Sequence, residues 1–249
     1  MSRHFDLMQQ LDSDTWFRGR SAPGEAVEDR PGHPAPAAEF GSNVNEEALQ
    51  LVQRIFLVQG EDAPRVVAFA GVDHGEGCSR ISAAVAEILA RNSGGTVCLV
   101  EANFRSPGLP GLFGTANHHG LADALLHDGP IRSFARPLLP DALWLLSSGA
   151  LEPGSANLLS SERIRTRMAE LRDEFDYVVI DAPPLSRYND ALTVSRLTDG
   201  LVLVLEAGTT RRETAQLAAA NLRSCEIPIL GAVLNNRTFP IPEKIYRML

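Results

Sequence analysis

The stretch from Arg65 to Arg80 reads R-V-V-A-F-A-G-V-D-H-G-E-G-C-S-R, and the fold of the surrounding chain follows from it. Val66 to Ala70 is a short apolar run that ends at a glycine, which is typical of a buried strand. A turn of small residues follows, and apolar positions then recur with helical spacing from Ser79 to Arg91. A strand, a glycine-rich turn and a helix in this order are the context of a P-loop. In a P-loop, backbone N–H groups and the helix N-terminus bind the phosphates of a nucleotide.

Two positions of this loop differ from the P-loop template G-x-x-x-x-G-K-[ST], which falls on Val72 to Ser79. Val72 takes the position of the first glycine, and Cys78 takes the position of the lysine that reaches the terminal phosphates. Ser79 keeps the hydroxyl that holds Mg²⁺. Because a thiol is short and uncharged, we expect the phosphate cradle to be kept and the catalytic charge to be missing. The residues predicted to contact the phosphates are Gly75, Glu76, Gly77, Cys78, Ser79 and Arg80.

Length and composition limit the classes of protein that this chain can belong to. Its 249 residues allow one large α/β domain plus a tail, and a hydrophobic content of 44% supplies a core. A net charge of −8 argues against binding to nucleic acid or to an anionic membrane surface. No apolar run reaches the length of a membrane span, and we expect no signal peptide. The three cysteines have no metal-like spacing, which favours a cytoplasmic protein.

The composition divides the chain into three parts. Residues 1–43 are rich in Pro, Gly, Ala and charge, and we expect a flexible N-terminal tail. Residues 44–237 are predicted to form the folded domain, and residues 238–249 a C-terminal tail. Within the first tail, either scattered apolar residues in an unstructured segment or a short docking helix is consistent with the pattern. The residues that would form the face of that helix are Phe5, Met8, Leu11 and Trp16.

Strands and helices alternate along the folded part. The predicted strands are Arg65–Ala70, Thr96–Val100, Leu143–Leu146, Tyr177–Ile180, Gly200–Leu205 and Ile229–Leu234. The predicted helices are Asn45–Val58, Ser79–Arg91, Leu121–His127, Ser160–Glu174, Ala191–Leu197 and Arg212–Leu222. Continuously apolar strands that alternate with helices predict an α/β fold of three layers, a mostly parallel sheet with helices on both faces. Ligands of such sheets bind at the carboxyl ends of the strands, where the P-loop, Glu101, Asp181 and Asn235 all lie.

Four segments in order resemble the motifs of one family, the bacterial tyrosine kinases of the capsule and exopolysaccharide type. The segments are G-E-G-C-S, V-C-L-V-E-A-N-F-R-S-P, F-D-Y-V-V-I-D-A-P-P and L-G-A-V-L-N. These kinases are relatives of the ParA and MinD P-loop ATPases, and the resemblance runs from about Glu46 to Arg237. It implies the three-layer P-loop NTPase fold.

The resemblance also implies the setting in which such a protein works. A member of this family is a cytoplasmic protein at the inner face of the membrane, partnered with a transmembrane polysaccharide co-polymerase that regulates chain length. An active member binds ATP with Mg²⁺ and phosphorylates tyrosines near its own C-terminus. In this chain the C-terminal segment holds a single tyrosine, Tyr246. The family's Glu-x-x-Arg-x-x-Arg assembly motif reads Glu47-x-x-Gln50-x-x-Gln53 here, so a homo-oligomer is possible but its ring form is not expected.

The resemblance assigns further site residues, and the second motif departs from the family's pattern. Glu101 and Asn103 stand where the family has two aspartates for Mg²⁺ binding and the base role. Asn103 is neutral and cannot act as a base. Asp181 is retained as a catalytic and metal-binding carboxylate, so the predicted metal ligands are Ser79, Glu101 and Asp181. Arg105 and Asn235 are the remaining predicted nucleotide-binding residues, and Asn235 corresponds to the family's adenine-side asparagine.

Several interpretations remain open from these residues. The first is a degenerate kinase-family member that binds ATP or ADP weakly and serves as a regulatory subunit. The second is an active autokinase or ATPase with a site rebuilt around Arg80, Glu101 and Asp181. The candidates to restore the missing positive charge are Arg80, Arg105 and Arg163. The third is a ParA/MinD-like positioning ATPase. That class has a signature lysine at the position of Asp73, which argues against this interpretation. Alternatives at single sites are a loop that only packs, a redox-sensitive thiolate at Cys78, and a simple turn at Asn235 and Asn236.

Overall fold

The computed structural model describes residues 5–6, 42–57, 63–150 and 155–236. The strands are β1 Phe5–Asp6, β2 Val66–Gly71, β3 Val97–Glu101, β4 Arg136–Leu139, β5 Leu143–Leu146, β6 Tyr177–Asp181, β7 Gly200–Glu206 and β8 Ile229–Asn235. The α-helices are α1 Ser42–Ile55, α2 Cys78–Asn92, α3 Leu109–Leu112, α4 Leu121–Leu126, α5 Arg163–Glu174, α6 Asp190–Ser195 and α7 Arg212–Ser224. Two 3₁₀ helices cover Ile131–Phe134 and Ser155–Ser160.

The strands form one sheet in the order β1-β8-β7-β2-β6-β3-β5-β4. All neighbouring pairs are parallel except β4 and β5, which are antiparallel. The predicted α/β fold with a mostly parallel sheet is therefore confirmed. Because β2 lies between β6 and β7, the loop that leaves β2 is placed beside the carboxyl ends of both neighbours.

Apolar side chains cover both faces of the central strands. In β2, Val67 and Phe69 belong to the core on the side of α1 and α2, whereas Ala68 and Ala70 belong to the core on the side of α4 to α7. All of β2 is buried. A strand enclosed on both faces needs apolar residues at every position, which explains the continuous run in the sequence.

Some elements differ from the prediction. The predicted helix Ser160–Glu174 is two elements, since a 3₁₀ helix ends at Ser160 and α5 begins at Arg163. The strand β4 was not predicted because it contains Pro137, which lacks a backbone donor, and β4 accommodates this as an edge strand.

The structure describes only residues 5–6 and 42–43 of the predicted N-terminal tail and none of the predicted C-terminal tail. Phe5 and Asp6 pair in parallel with Val233 and Leu234, so this pair of residues forms an edge strand and not a helix. Met8, Leu11 and Trp16 lie outside the described residues, as does the C-terminal segment with Tyr246. None of the helices in the described ranges has the length and apolarity to cross a membrane.

Arg167 is a buried cation that joins α5 to the end of α4. Only 4% of the residue is exposed. Its guanidinium donates hydrogen bonds to the carbonyl oxygens of Ala124 at 2.7 Å, His127 at 2.6 Å and Gly129 at 2.8 Å. It also pairs with Glu170 at 2.5 Å. A single side chain therefore donates hydrogen bonds to three carbonyl groups where α4 ends and the next loop begins.

We expect Arg167→Met to lower the free energy of unfolding by roughly 2–4 kcal/mol, because it leaves buried carbonyls without donors. Arg165→Met on the same helix is the matched control, since Arg165 is exposed, and it should change stability by less than about 0.5 kcal/mol. Urea unfolding followed by circular dichroism measures both. Equal effects of the two substitutions would show that the Arg167 hydrogen bonds do not stabilise the fold.

Candidate functional site

A cavity of about 220 Å³ lies at the carboxyl ends of β2, β3 and β6. The β2–α2 loop forms one wall, and the loops that follow β3 and β6 form the other walls. This cavity lies where the sequence predicts a ligand site, at the edge of the sheet where the carboxyl ends of the strands meet. The predicted site residues that line the cavity are Gly75, Glu76, Gly77, Cys78, Ser79, Arg80, Asn103 and Asp181.

The conformation of the β2–α2 loop is fixed by the carboxylate of Glu76, which is only 3% exposed. One carboxylate oxygen accepts hydrogen bonds from the backbone N–H groups of Val72 at 2.5 Å and Asp73 at 3.1 Å. The other accepts from the hydroxyl of Thr210. Burial raises the pKa of Glu76, and these hydrogen bonds oppose that rise. Although Glu76 lines the cavity, both of its carboxylate oxygens are therefore engaged by protein groups that fix the loop.

Thr210 is a site residue that the sequence reasoning missed. It lies in the turn after β7, and its hydroxyl also accepts a hydrogen bond from the backbone N–H of Glu206 at 2.8 Å. The signal that could have found it is its position, since β7 is parallel to β2 and its carboxyl end must reach the same edge.

Asn235, the last residue of β8, holds the backbone of the β2–α2 loop through a hydrogen bond. Its side-chain amide donates to the carbonyl oxygen of Glu76 at 2.8 Å, and the residue is 2% exposed. Gly77 has φ of 82°, and a Cβ atom there would lie 2.2 Å from the Asn235 amide nitrogen. The structure therefore places Asn235 against the loop backbone, and its predicted contact with adenine stays a prediction.

Cys78 is the first residue of α2, and its thiol faces the carboxylate of Asp181. Burial and the nearby Asp181 charge raise the pKa of Cys78 well above its ordinary value. The raised pKa argues against the alternative of a redox-sensitive thiolate at this position, since a reactive thiolate requires a lowered pKa. The position that holds a lysine in the template carries a neutral thiol here.

Asp181 and Glu101 form a pair of buried carboxylates on neighbouring strands. Their Cα atoms are register partners between β3 and β6. One oxygen of Glu101 accepts from the backbone N–H groups of Gly108 at 2.5 Å and Leu109 at 2.9 Å, at the start of α3. The Ser79 hydroxyl and the Cys78 thiol lie close enough to Asp181 to lower its pKa, although burial outweighs them and raises it to about 6. Burial, followed by the Asp181 charge, raises the pKa of Glu101 to about 7.

These carboxylates fit a magnesium ion. One oxygen of Glu101 and both oxygens of Asp181 are buried and have no hydrogen bond of ordinary geometry. Mg²⁺ binds through one or two carboxylates together with substrate phosphates and water. Asp181 lines the cavity beside Ser79, so these two residues would hold the ion directly, with Glu101 behind them. A bound Mg²⁺ would neutralise phosphate charge at this point.

The other predicted cationic residues lie away from the cavity walls. Arg105 stacks over the ring of Tyr188, 3.9 Å from its centroid, and its Nε atom is 3.5 Å from the carboxylate of Asp190. Arg163, the first residue of α5, forms an ion pair with Asp128 at 2.6 Å. Neither arginine reaches the loop in this arrangement, whereas Arg80 lines the cavity.

The fold is that of the P-loop NTPases of the MinD and ParA type. The structure is similar to the septum site-determining protein MinD of Pyrococcus horikoshii OT3 complexed with Mg-ADP, with a TM-score of 0.59 and 18% identity over 74% of this chain and 77% of that chain. It is also similar to the chimerical protein CapA2B2, with a TM-score of 0.76 and 20% identity over 96% of both chains.

The sequence comparison identifies the family within this class. Tyrosine-protein kinase YwqD of Bacillus subtilis (strain 168) is 32% identical over 163 residues, which are 66% of this chain and 68% of the relative. The chain belongs to the family of bacterial tyrosine kinases, as its motifs predict. A scan against protein-family profiles found no match.

Because burial raises the pKa of both Glu101 and Asp181, the folded state binds more protons than the unfolded state between about pH 4 and 7. Stability therefore falls as the pH rises through this window. Without divalent cations, we expect the free energy of unfolding to decrease from pH 5 to pH 8 by roughly 1–3 kcal/mol. The double variant Glu101→Gln/Asp181→Asn should flatten this slope, as measured by urea unfolding at each pH. An unchanged slope in the double variant would assign the pH dependence to other groups.

Gly75 and Gly77 provide a matched pair of substitutions. Both have positive φ values, 92° and 82°, so alanine at either position is strained by roughly 1–2 kcal/mol. A Cβ atom at Gly75 meets nothing within 4 Å, whereas one at Gly77 collides with Asn235. We expect Gly77→Ala to lower the melting temperature more than Gly75→Ala does, and Asn235→Ala to recover part of that difference. Equal melting temperatures would mean that the Asn235 contact is not rigid.

Proposed function

We propose that this chain is a catalytically impaired regulatory member of the bacterial tyrosine kinase family, acting in capsule or exopolysaccharide biosynthesis or export. The observation that carries the proposal is the neutral thiol of Cys78 at the first turn of α2, where the template has a lysine. Kinase chemistry depends almost entirely on positioning and on charges that stabilise the transferring phosphoryl group. Loss of one such donor reduces the rate by about 10²–10³.

Binding of a nucleotide depends on groups that this chain keeps. The first backbone N–H groups of a helix have no partners inside the helix, and α2 begins at the cavity without a side-chain cap. They provide the anion-binding end of a helix dipole. Ser79 and Asp181 remain for Mg²⁺. We therefore expect ATP or ADP to bind with Mg²⁺, more weakly than in a site with the lysine.

The cellular setting is proposed from the family resemblance. The motifs that this chain shares with the capsule and exopolysaccharide kinases support an association with a transmembrane polysaccharide co-polymerase at the inner face of the membrane. In this setting a member that binds nucleotide without efficient turnover would regulate the assembly and not supply the phosphorylation itself.

A second candidate function is that of an active autokinase, and one observation favours it. Arg80 lines the cavity two residues after Cys78, so its guanidinium is the cation nearest to the missing lysine among the predicted replacements. Asp181 would then hold the metal, and Tyr246 would be the phosphate acceptor in the C-terminal segment. The positioning ATPase of the ParA/MinD type is disfavoured, because Asp73 occupies its signature lysine position.

We expect the native protein with Mg-ATP to form little phosphotyrosine and to release phosphate slowly. Cys78→Lys should increase both rates by about 10²-fold or more, because it restores the charge that stabilises the transferring phosphoryl group. Cys78→Met is the matched control, since methionine has a similar length without the charge, and it should give no increase. Phosphotyrosine blotting and a phosphate-release assay on purified protein measure these outcomes.

Two results would contradict the proposal. One is efficient turnover by the native protein that Asp181→Asn abolishes, which would establish the autokinase. The other is the absence of detectable nucleotide binding by the native protein, which would mean that the loop only packs. If Cys78→Lys binds nucleotide tightly but stays inactive, Asn103 in the second motif also limits catalysis, and the double variant Cys78→Lys/Asn103→Asp should then be active.

A further inference from the structure

The contacts available to a bound nucleotide differ between the two ends of the cavity. In a P-loop, the backbone N–H groups cradle the α- and β-phosphates, and the lysine reaches the β- and γ-phosphates. Here the backbone contribution is present, because Gly77, Cys78 and Ser79 form the wall where α2 begins. The lysine contribution is absent, because a thiol is neutral or anionic but never cationic.

Negative charge is concentrated where a third phosphate would lie. The carboxylate of Asp181 lies beside the Cys78 side chain, and Glu101 follows it on the neighbouring strand. Asp73 also lines the cavity, although its carboxylate accepts a hydrogen bond from the hydroxyl of Ser186 at 2.5 Å. The single Mg²⁺ ion that Asp181 and Ser79 would hold offsets only part of this negative charge. The remainder repels an additional phosphate, and more strongly in a site shielded from water.

Two side chains of the cavity wall, Asn103 and Arg80, could donate hydrogen bonds to the additional phosphate and so offset this repulsion. Asn103 lines the wall opposite the loop, and its side-chain oxygen accepts from the backbone N–H of Ser106 at 3.3 Å, which leaves its amide group as a neutral donor. Arg80 is the arginine among the residues that line this cavity. A neutral amide forms a weaker hydrogen bond to phosphate than an ammonium group does.

We propose that this site prefers nucleoside diphosphates over nucleoside triphosphates, which reverses the preference that a site built for phosphoryl transfer requires. The inference rests on the proposed nucleotide binding and specifies its ligand. A diphosphate uses the backbone cradle in full and needs no cation at position 78. A triphosphate adds a charged group that meets a thiol and a carboxylate in place of a lysine. The protein would then respond to the diphosphate form of the nucleotide.

Isothermal titration calorimetry with Mg-ADP and with the Mg complex of a non-hydrolysable ATP analogue tests this preference on the native protein. We expect Mg-ADP to bind at least about tenfold more tightly, because one charge-assisted contact to phosphate is missing. Cys78→Lys should remove or reverse the preference, whereas Cys78→Met should keep it. The comparison on the native protein stands by itself if a variant fails to fold.

The other outcomes separate this inference from the proposed function. Equal affinities, or tighter binding of the triphosphate analogue, overturn the diphosphate preference but leave nucleotide binding intact. If the triphosphate binds more tightly and Arg80→Gln removes that advantage, Arg80 supplies the missing charge and the autokinase is favoured. If neither nucleotide binds at millimolar concentration, both the preference and the proposed nucleotide binding are wrong.

Discussion

The chemistry of the site depends on the carboxylate of Asp181, which is buried at the carboxyl end of β6 beside the Cys78 thiol. A desolvated carboxylate must either take up a proton or meet a positive charge. The side chain at the start of α2 is a neutral thiol, which supplies no positive charge to Asp181. The raised pKa values of Asp181 and Glu101 are the consequence for the protein alone. A magnesium ion bound with a phosphate is the other way to satisfy the same requirement.

The loop around this carboxylate is held by hydrogen bonds that do not involve Cys78. Glu76 binds two backbone N–H groups of its own loop and the hydroxyl of Thr210, and Asn235 holds the Glu76 carbonyl. Thr210 follows β7, which lies next to β2, and Asn235 ends β8, which lies on the other side of β7. These hydrogen bonds fix the shape of the cradle through the protein's own groups. Replacement of the lysine removes a charge but leaves the structure that positions the backbone donors.

The sequence was sufficient to predict the sheet and the edge at which the site forms. Strands with apolar residues at every position indicate burial on both faces, and parallel strands bring their carboxyl ends together, so Asp181 and the P-loop had to be neighbours. Side-chain direction in the loops could not be predicted in this way. Asn235 turns under the loop because Gly77 lets the backbone approach, and Arg105 stacks on Tyr188. Both contacts depend on residues distant in the chain.

Anion binding and phosphoryl transfer make different demands on the same loop. Binding needs oriented backbone dipoles, which the glycines, Glu76 and Asn235 fix. Transfer needs a mobile cation that follows the charge of the phosphoryl group as it moves, and a thiol of fixed position and no positive charge does not provide it. Among the described residues, Arg80 is the one arginine that lines the cavity at the β2–α2 loop. Its role decides whether the site only binds a nucleotide or also transfers a phosphoryl group. If its guanidinium stays along the cavity wall, the site holds a nucleotide without consuming it, which is the property that a regulatory subunit needs.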